Sequence, residues 1–438
     1  MRFLGVKIAG ILLHHQLNRM KNLFNSIFFF ALTGGLLLVL TSCGEDDGGS
    51  TTPPINPGTE TVVISGYISQ NTTWTADKIY ELAGYVVVDS GSTLTIEAGT
   101  IVKARTGSGA ASSALVVARN AMINAQGSAS APIVFTSVLD NIQPGELAGS
   151  SLSVDYAGLW GGVIILGNAP VSTGSGDTEG QIEGIASDYT FGRYGGNDPT
   201  DNSGVFSYVS IRHNGTEIAP DSEIQGLTTG GVGSGTQIDH IEIVASDDDG
   251  VEFFGGTHDI SHLLVVNQAD DGIDLDQNYA GTISNFFVTH TGGKGSNAGF
   301  EFDGPEGSTY TAGKYTVQNG TLKNTGGPGR AMTLKSGSQG DISGVWVTGY
   351  GEFVTVEGGS ANANFAAGEL TVSGCEFNSA DISDLSMGAI VPEGADSVTS
   401  ISSFAAANAT ASAPGNAGAT TSEFDGWTWG ASAGLVEN

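Results

Sequence analysis

The chain has 438 residues, 67 of them glycine, and only 14% are charged. Its 46 acidic side chains outnumber 15 basic ones, for a formal net charge of −31. Such a surface repels nucleic acid and anionic headgroups and attracts cations, so a nucleic-acid partner is excluded.

The first stretch reads as a targeting segment rather than as part of a fold. Arg2, Lys7, Arg19 and Lys21 are its only charged side chains, Ile27–Leu40 is apolar, and Leu40-Thr41-Ser42-Cys43 closes it. This ending resembles the lipobox of bacterial lipoproteins, which implies acylation of Cys43 as the mature N-terminus. Gly44-Glu45-Asp46-Asp47 resembles the acidic signal that sends lipoproteins of the Bacteroidetes group to the cell surface. A spanning helix is the alternative, against which Thr33-Gly34-Gly35 and the short apolar length weigh. The expected organisation is a signal peptide over 1–43 (with Met20 as the expected start), a flexible linker over 44–60 and a single β-helix domain over 61–438. The expected location is the outer membrane, lipid-anchored and facing the exterior. With Cys43 acylated, Cys375 is left without a disulfide partner and is expected as a buried apolar residue.

Thr61 to Ala104 holds the alternating runs VVISGYIS, YELAGYVVVDSG and STLTIEAGTIVKA, read as a first coil and N-terminal cap. ALVVARNAMINAQGS and APIVFTSV continue the pattern, and GLWGGVIILGNAPV leads into a long loop through Arg193 and Asn202.

From Ile238 the pattern becomes a repeat. Ile238, Ile260 and Ile283 recur at steps of 22 and 23 residues, and Asp249-Gly250-Val251-Glu252-Phe253 falls on Asp271-Gly272-Ile273-Asp274-Leu275. Each unit is two short alternating runs split by a Gly-rich turn. A fixed period built from strands marks a solenoid whose units bury their apolar face only by stacking. The fold class expected is all-β: a right-handed parallel β-helix of roughly 22–25 residues per coil, with N- and C-terminal caps. Coils should begin at 206, 238, 260, 283, 317, 342 and 372. Because side chains alternate faces, Val251, Ile273, Phe300, Met332 and Val354 should stack inside. Glu252, Asp274, Glu301, Thr333 and Thr355 should form an outward ladder, beside a second column of Phe254, Asp276, Asp303, Lys335 and Glu357. Ala361–Thr421 is weakly patterned and expected as a loose coil or insertion. The aromatics of Phe424–Trp429 are expected over the open C-terminal end.

The stacking unit resembles the pectate-lyase-like right-handed β-helix superfamily. GLWGGVIILGNAPV, YGGNDPTDNSGVFSYVSIR, GLTTGGVGSGTQID and DDDGVEFFGG are similar to a group of bacterial β-helical lipoproteins, over roughly residues 61 to 430. The resemblance implies fold and location; it implies no activity, since function belongs to sites rather than folds.

The acidic corner is the main candidate site. Asp248, Asp249, Asp270, Asp271, Asp274 and Asp276 lie on neighbouring coils, which sit about 4.8 Å apart. Two carboxylates at that distance repel by roughly 3 kcal/mol at an effective dielectric near 20. A divalent cation relieves this, and Ca2+, which takes six to eight oxygens in flexible geometry, is the expected one. A hydrated acidic ladder is the alternative. Glu252, Phe254, Tyr279, Glu301 and Asp303 form a candidate ligand face, where the aromatics would have to be exposed to meet a glycan.

Catalysis is the weaker reading: no Gly-His-Gly follows Gln268-Ala269-Asp270-Asp271, and Lys335 is the one candidate base. Asp274-x-Asp276-x-Asn278 opens like an EF-hand loop but has Tyr279 where that loop needs glycine. Asn197–Asn202 is an oxygen-rich turn. His240 and His262 share a column without a third ligand, and His213 and His290 sit three coils apart, too far for zinc. The function expected is a surface-exposed outer-membrane lipoprotein that binds cations, glycans or a partner membrane protein. The alternative is a calcium-dependent polysaccharide lyase or glycoside hydrolase.

Overall fold

The computed structural model describes residues 59–219, 222–292, 298–325, 329–378, 389–391, 399–400 and 407–437. The expected signal peptide, Cys43 and nearly all of the expected linker lie outside them. Gly58–Asn438 form one compact unit.

The chain winds as a right-handed parallel β-helix in which, among the described residues, 26 strands share one hydrogen-bonded network. Each coil contributes to three parallel sheets. The second sheet, which carries the candidate site, stacks Ala114–Val117, Val163–Leu166, Leu227–Gly230, Val251–Phe254, Ile273–Asp276, Ala298–Phe302, Arg330–Leu334 and Glu352–Glu357. The third and first sheets share the long strands, such as Gln237–Val244, Asp259–Val266 and Thr282–His290, whose two halves lie on different faces.

The coil register is the one the repeat predicts. Phe206, Ile238, Ile260, Ile283, Val317, Ile342 and Val372 pair in succession. Inside, Val251, Ile273, Phe300, Met332 and Val354 stack with at most 1% exposure. Burying an aliphatic or aromatic side chain of this size stabilises by about 1.5–3 kcal/mol, so the stack is the main source of cohesion.

The long strands turn between their halves at one unpaired residue with left-handed backbone. These corners are Tyr208, His240, His262, Asn285 and Asn319, with φ between 49° and 58°, followed by Gly344 and Gly374. Asn and Gly tolerate that conformation, whereas Tyr and His do so at a cost. Ring stacking offsets it: Tyr208 lies 4.0 Å from His240, and His240 4.2 Å from His262, centroid to centroid.

Two expectations for the C-terminal third need correction. Part of the weakly patterned stretch is an α-helix, Gly358–Ala367, ended by Gly368 at φ 76°, as a left-handed C-cap requires. Nor do the terminal aromatics cover the open end of the stack. They run back along the outer face of the first sheet, where Ala419 N donates to Thr321 Oγ1 (3.0 Å), Thr420 N to Asn285 Oδ1 (2.6 Å) and Gly430 N to Glu242 Oε1 (2.8 Å). The reason lies in that face, which is apolar at Val244, Leu264, Val266 and Phe287 and buries these against Phe424 and Trp427. Cys375 is fully buried in the core beside Val345 and Phe377, as expected.

Candidate cation site

The outward face of the second sheet changes character along the stack. At its start Val116, Ile164 and Leu166 point away from the core, and the loop after Leu166 folds over them with Val171, Ile182, Ile185 and Tyr194. Phe254 sits at the end of this second apolar cluster, 6% exposed and 6.1 Å from the Tyr194 ring. Tyr279 is 1% exposed, and its hydroxyl donates to His258 O at 2.6 Å. Neither aromatic is therefore available to a glycan, contrary to the sequence expectation: Phe254 points outward but is covered by the loop that carries Tyr194, and Tyr279 packs into the core.

Beyond Phe254 the same face turns acidic. Thr228, Glu252, Asp274, Glu301, Thr333 and Thr355 pair in one column. They point outward as the alternation predicts, but Glu252, Thr333 and Thr355 are only 5%, 3% and 1% exposed. The long loop and the segment after Asp303 shelter this face: Ser172 N donates to Gln277 O (3.0 Å), Glu306 N to Ser172 Oγ (3.1 Å), and Ser308 Oγ to Val171 O (3.1 Å). The ladder is outward as expected, and it is mostly covered.

At the corner the aspartates stitch coils together. Asp249 Oδ1 accepts the Asp271 amide at 2.8 Å, and Asp271 Oδ1 accepts the Ala298 amide at 2.5 Å. Gln225 Nε2 donates to Asp248 Oδ2 at 3.1 Å. Three overlapping groups result: Asp248, Asp249 and Asp270; Asp249, Glu252 and Asp274; Asp271, Asp274 and Glu301. In each group one oxygen per residue lies within 4.8 Å of the others. Two oxygens bound to one calcium at 2.3–2.6 Å can be at most about 5 Å apart, so each group is of the right size. Asp276 belongs to none of the three; it lies further along, beside the charges of Asp303 and Glu306. The six aspartates picked from the sequence thus do not form one site, whereas Glu252 and Glu301 join them in it.

Burial and mutual repulsion dominate the electrostatics. Asp248 is pushed up to about 6, chiefly by burial and then by the Asp270 charge. Asp271 and Asp276 are both raised to about 8, first by burial and next by Asp270 and Asp303 respectively. Asp249, Glu252 and Asp274 lie well above the usual carboxylate range for the same reasons. Asp274 and Asp276 keep a sliver of accessible surface, yet protein atoms surround them densely enough for burial to lead. Glu252 Oε2, Asp274 Oδ1 and Asp303 Oδ1 are buried without a hydrogen-bond partner. Such orphaned oxygens are costly unless a proton or a cation satisfies them.

Lys335 ion-pairs with Glu301. Burial works against its charge, but the Glu301 hydrogen bond and the Asp303, Glu301 and Asp274 charges outweigh it and raise its pKa. An ammonium held in that way does not serve as a base.

Glu183 and Glu306, from the long loop and the sheltering segment, also face this charge and are raised mainly by burial. No period in the sequence marks either. The EF-hand-like opening forms no loop, since Asp274 and Asp276 lie on one strand and Asn278 sits in a left-handed turn. The Asn197–Asn202 turn satisfies itself, with Thr200 N and Oγ1 donating to Asp198 Oδ1 and Asn168 Nδ2 to Asp201 Oδ1. His240 and His262 gain Glu423 as a neighbour, but their rings are parallel to within 5°, so their in-plane lone pairs do not converge on one ion. His213 and His290 are both held down to about 4 by burial.

Coil, register and an acidic outer corner together define a right-handed parallel β-helix with a sheltered carboxylate cluster. A family model described as a pectate-lyase-like beta helix domain matches residues 66–432, and the chain belongs to that family. Neither curated proteins nor solved structures gave a match.

Proposed function

We propose that this protein is a cation-binding module with a carbohydrate-related role, held at the outer surface of the outer membrane by a lipid on Cys43. One observation carries the cation reading: three overlapping carboxylate triads whose members Glu252 and Asp274 each carry a buried oxygen without a hydrogen-bond partner. The donor set is all oxygen, irregular and shared between coils, which suits Ca2+ better than the strict octahedron of Mg2+ or the nitrogen and sulfur ligands of zinc. The carbohydrate part rests on the family's description. Binding is favoured over lyase or hydrolase chemistry because Lys335, the one base considered, is committed to Glu301 and stays protonated.

A ligand that binds only the folded state stabilises it by about 2.7 kcal/mol at a hundred times its dissociation constant. Calcium should therefore raise the melting midpoint at fixed ionic strength, which separates binding from screening. Asp271→Asn combined with Asp274→Asn should abolish most of that gain. In chelator it should leave stability unchanged or higher, because repulsion is relieved. A midpoint that does not move with calcium would reduce the corner to a hydrated ladder.

The anchor is tested separately, by palmitate labelling and protease shaving of intact cells. Wild type should be labelled and cleaved from outside, and Cys43→Ala should not be labelled. Equal labelling of the two, or protection of the wild type from protease, would overturn the lipidation or the display.

A further inference from the structure

Two of the exposed tyrosines among the described residues lie near the start of the face that carries the carboxylates. Tyr67 and Tyr189 are 60% and 45% exposed, and they join Tyr85 and Phe191 in one aromatic patch. Tyr189 lies 5.1 Å from Phe191, and Phe191 lies 6.0 Å from both Tyr67 and Tyr85, between ring centroids. Large aromatic rings left in solvent as a contiguous group mark a binding surface more often than chance exposure.

A cavity of about 460 Å³ opens beside the patch, lined among others by Tyr85, Gln181, Glu183, Ser187, Tyr189 and Ser222. Its size falls in the lower part of the range for small-molecule sites. The walls are held in place before any ligand arrives. Gln181 Nε2 donates to the carbonyls of Ile185 (3.1 Å), Ala186 (3.2 Å) and Tyr189 (3.3 Å), and Tyr85 Oη donates to Gly184 O (2.9 Å). With its nitrogen so committed, the same amide leaves Oε1 buried without a donor. A preformed wall lowers the ordering cost of binding a ligand.

From this arrangement we infer that the cavity is a subsite for a neutral pyranose sugar. A pyranose presents an apolar C–H face that suits the electron-rich face of a tyrosine. Its hydroxyl rim supplies O–H donors to the Glu183 carboxylate and can also meet the Ser187 and Ser222 hydroxyls that line the same cavity. No described residue lining the cavity is basic, and the hairpin at its rim pairs Glu217 with Glu223. That field repels uronates, phosphates and other anions, so the sugar is uncharged. The inference rests on the carbohydrate-related reading above and adds to it a place and a chemical class; it does not require a cation at the corner, although Glu183 faces both.

The test is an array of neutral and uronate oligosaccharides probed with the full-length protein in calcium and in chelator. The best-bound sugar is then titrated by calorimetry against variants. A neutral sugar should bind. Tyr189→Ala and Glu183→Gln should each weaken it roughly tenfold or more, as loss of a central aromatic or acceptor does. Tyr189→Phe should retain binding, and Tyr156→Ala, an exposed tyrosine outside the cavity lining, should leave it unchanged. Neutral-sugar binding untouched by Tyr189→Ala and Glu183→Gln would overturn the subsite and leave the carbohydrate reading standing. Binding of uronates alone would overturn the neutral class. If no sugar binds, the subsite and the carbohydrate reading fall together, while the cation reading is judged by its own melting curves.

Discussion

Freed of divalent cations, the protein should become less stable as pH rises from about 4 to about 8, the reverse of the usual acid denaturation. Asp271 and Asp276 titrate near about 8 in the fold, Asp248 near about 6, and Asp249, Glu252 and Asp274 well above their ordinary range. In the unfolded chain all of these groups lose their protons near pH 4. His213, His258 and His290, held down to about 4, pull the other way below about pH 6.5. The six carboxylates outnumber them, so the folded state holds more protons than the unfolded state and stability falls with pH. The stabilisation is complete below the unfolded values and gone above the folded ones. One pKa unit is worth about 1.4 kcal/mol, so even a single group displaced as far as Asp271 makes the loss several kcal/mol.

Calcium should flatten the slope, because it takes over from the protons in compensating the carboxylates. Its binding should release protons, and its apparent affinity should rise with pH. Melting curves at about pH 4.5, 6 and 7.5 and constant ionic strength, with and without calcium, check both parts. A cation-free midpoint that climbs across this range would show carboxylates that ionise as freely in the fold as out of it.

The second large effect is expected at Ile273. It is fully buried, paired with Val251 on one side and Phe300 on the other. Ile273→Asp would place a charge among apolar side chains with no partner, costing several kcal/mol or preventing folding. The neighbouring Asp274 points to the opposite face, so Asp274→Asn should be neutral or mildly stabilising in chelator. Two adjacent positions with opposite outcomes test the assignment of faces directly, since a slip of one residue would exchange them. Melting of Ile273→Asp at the wild-type midpoint would show that the faces are reversed.

The sequence alone determined the coil. The spacing of Ile238, Ile260 and Ile283 and the alternation around Val251, Ile273 and Phe300 are local and repeated, and stacking in register is the only way such units bury their apolar side. For the same reason it brought the aspartates of adjacent coils to one corner. Tertiary structure decided what covers the outside of the coil. Phe254 is covered by a loop and Tyr279 packs into the core, Glu183 and Glu306 arrive at the carboxylates, Tyr85 meets Tyr189, and Trp427 returns to His240. Each of these depends on a loop or tail that repeats nothing, whose path is set by the apolar patches it finds on a finished surface. Periodicity specifies the direction in which a side chain points; only the packed chain specifies whether water, a carboxylate or another ring waits there.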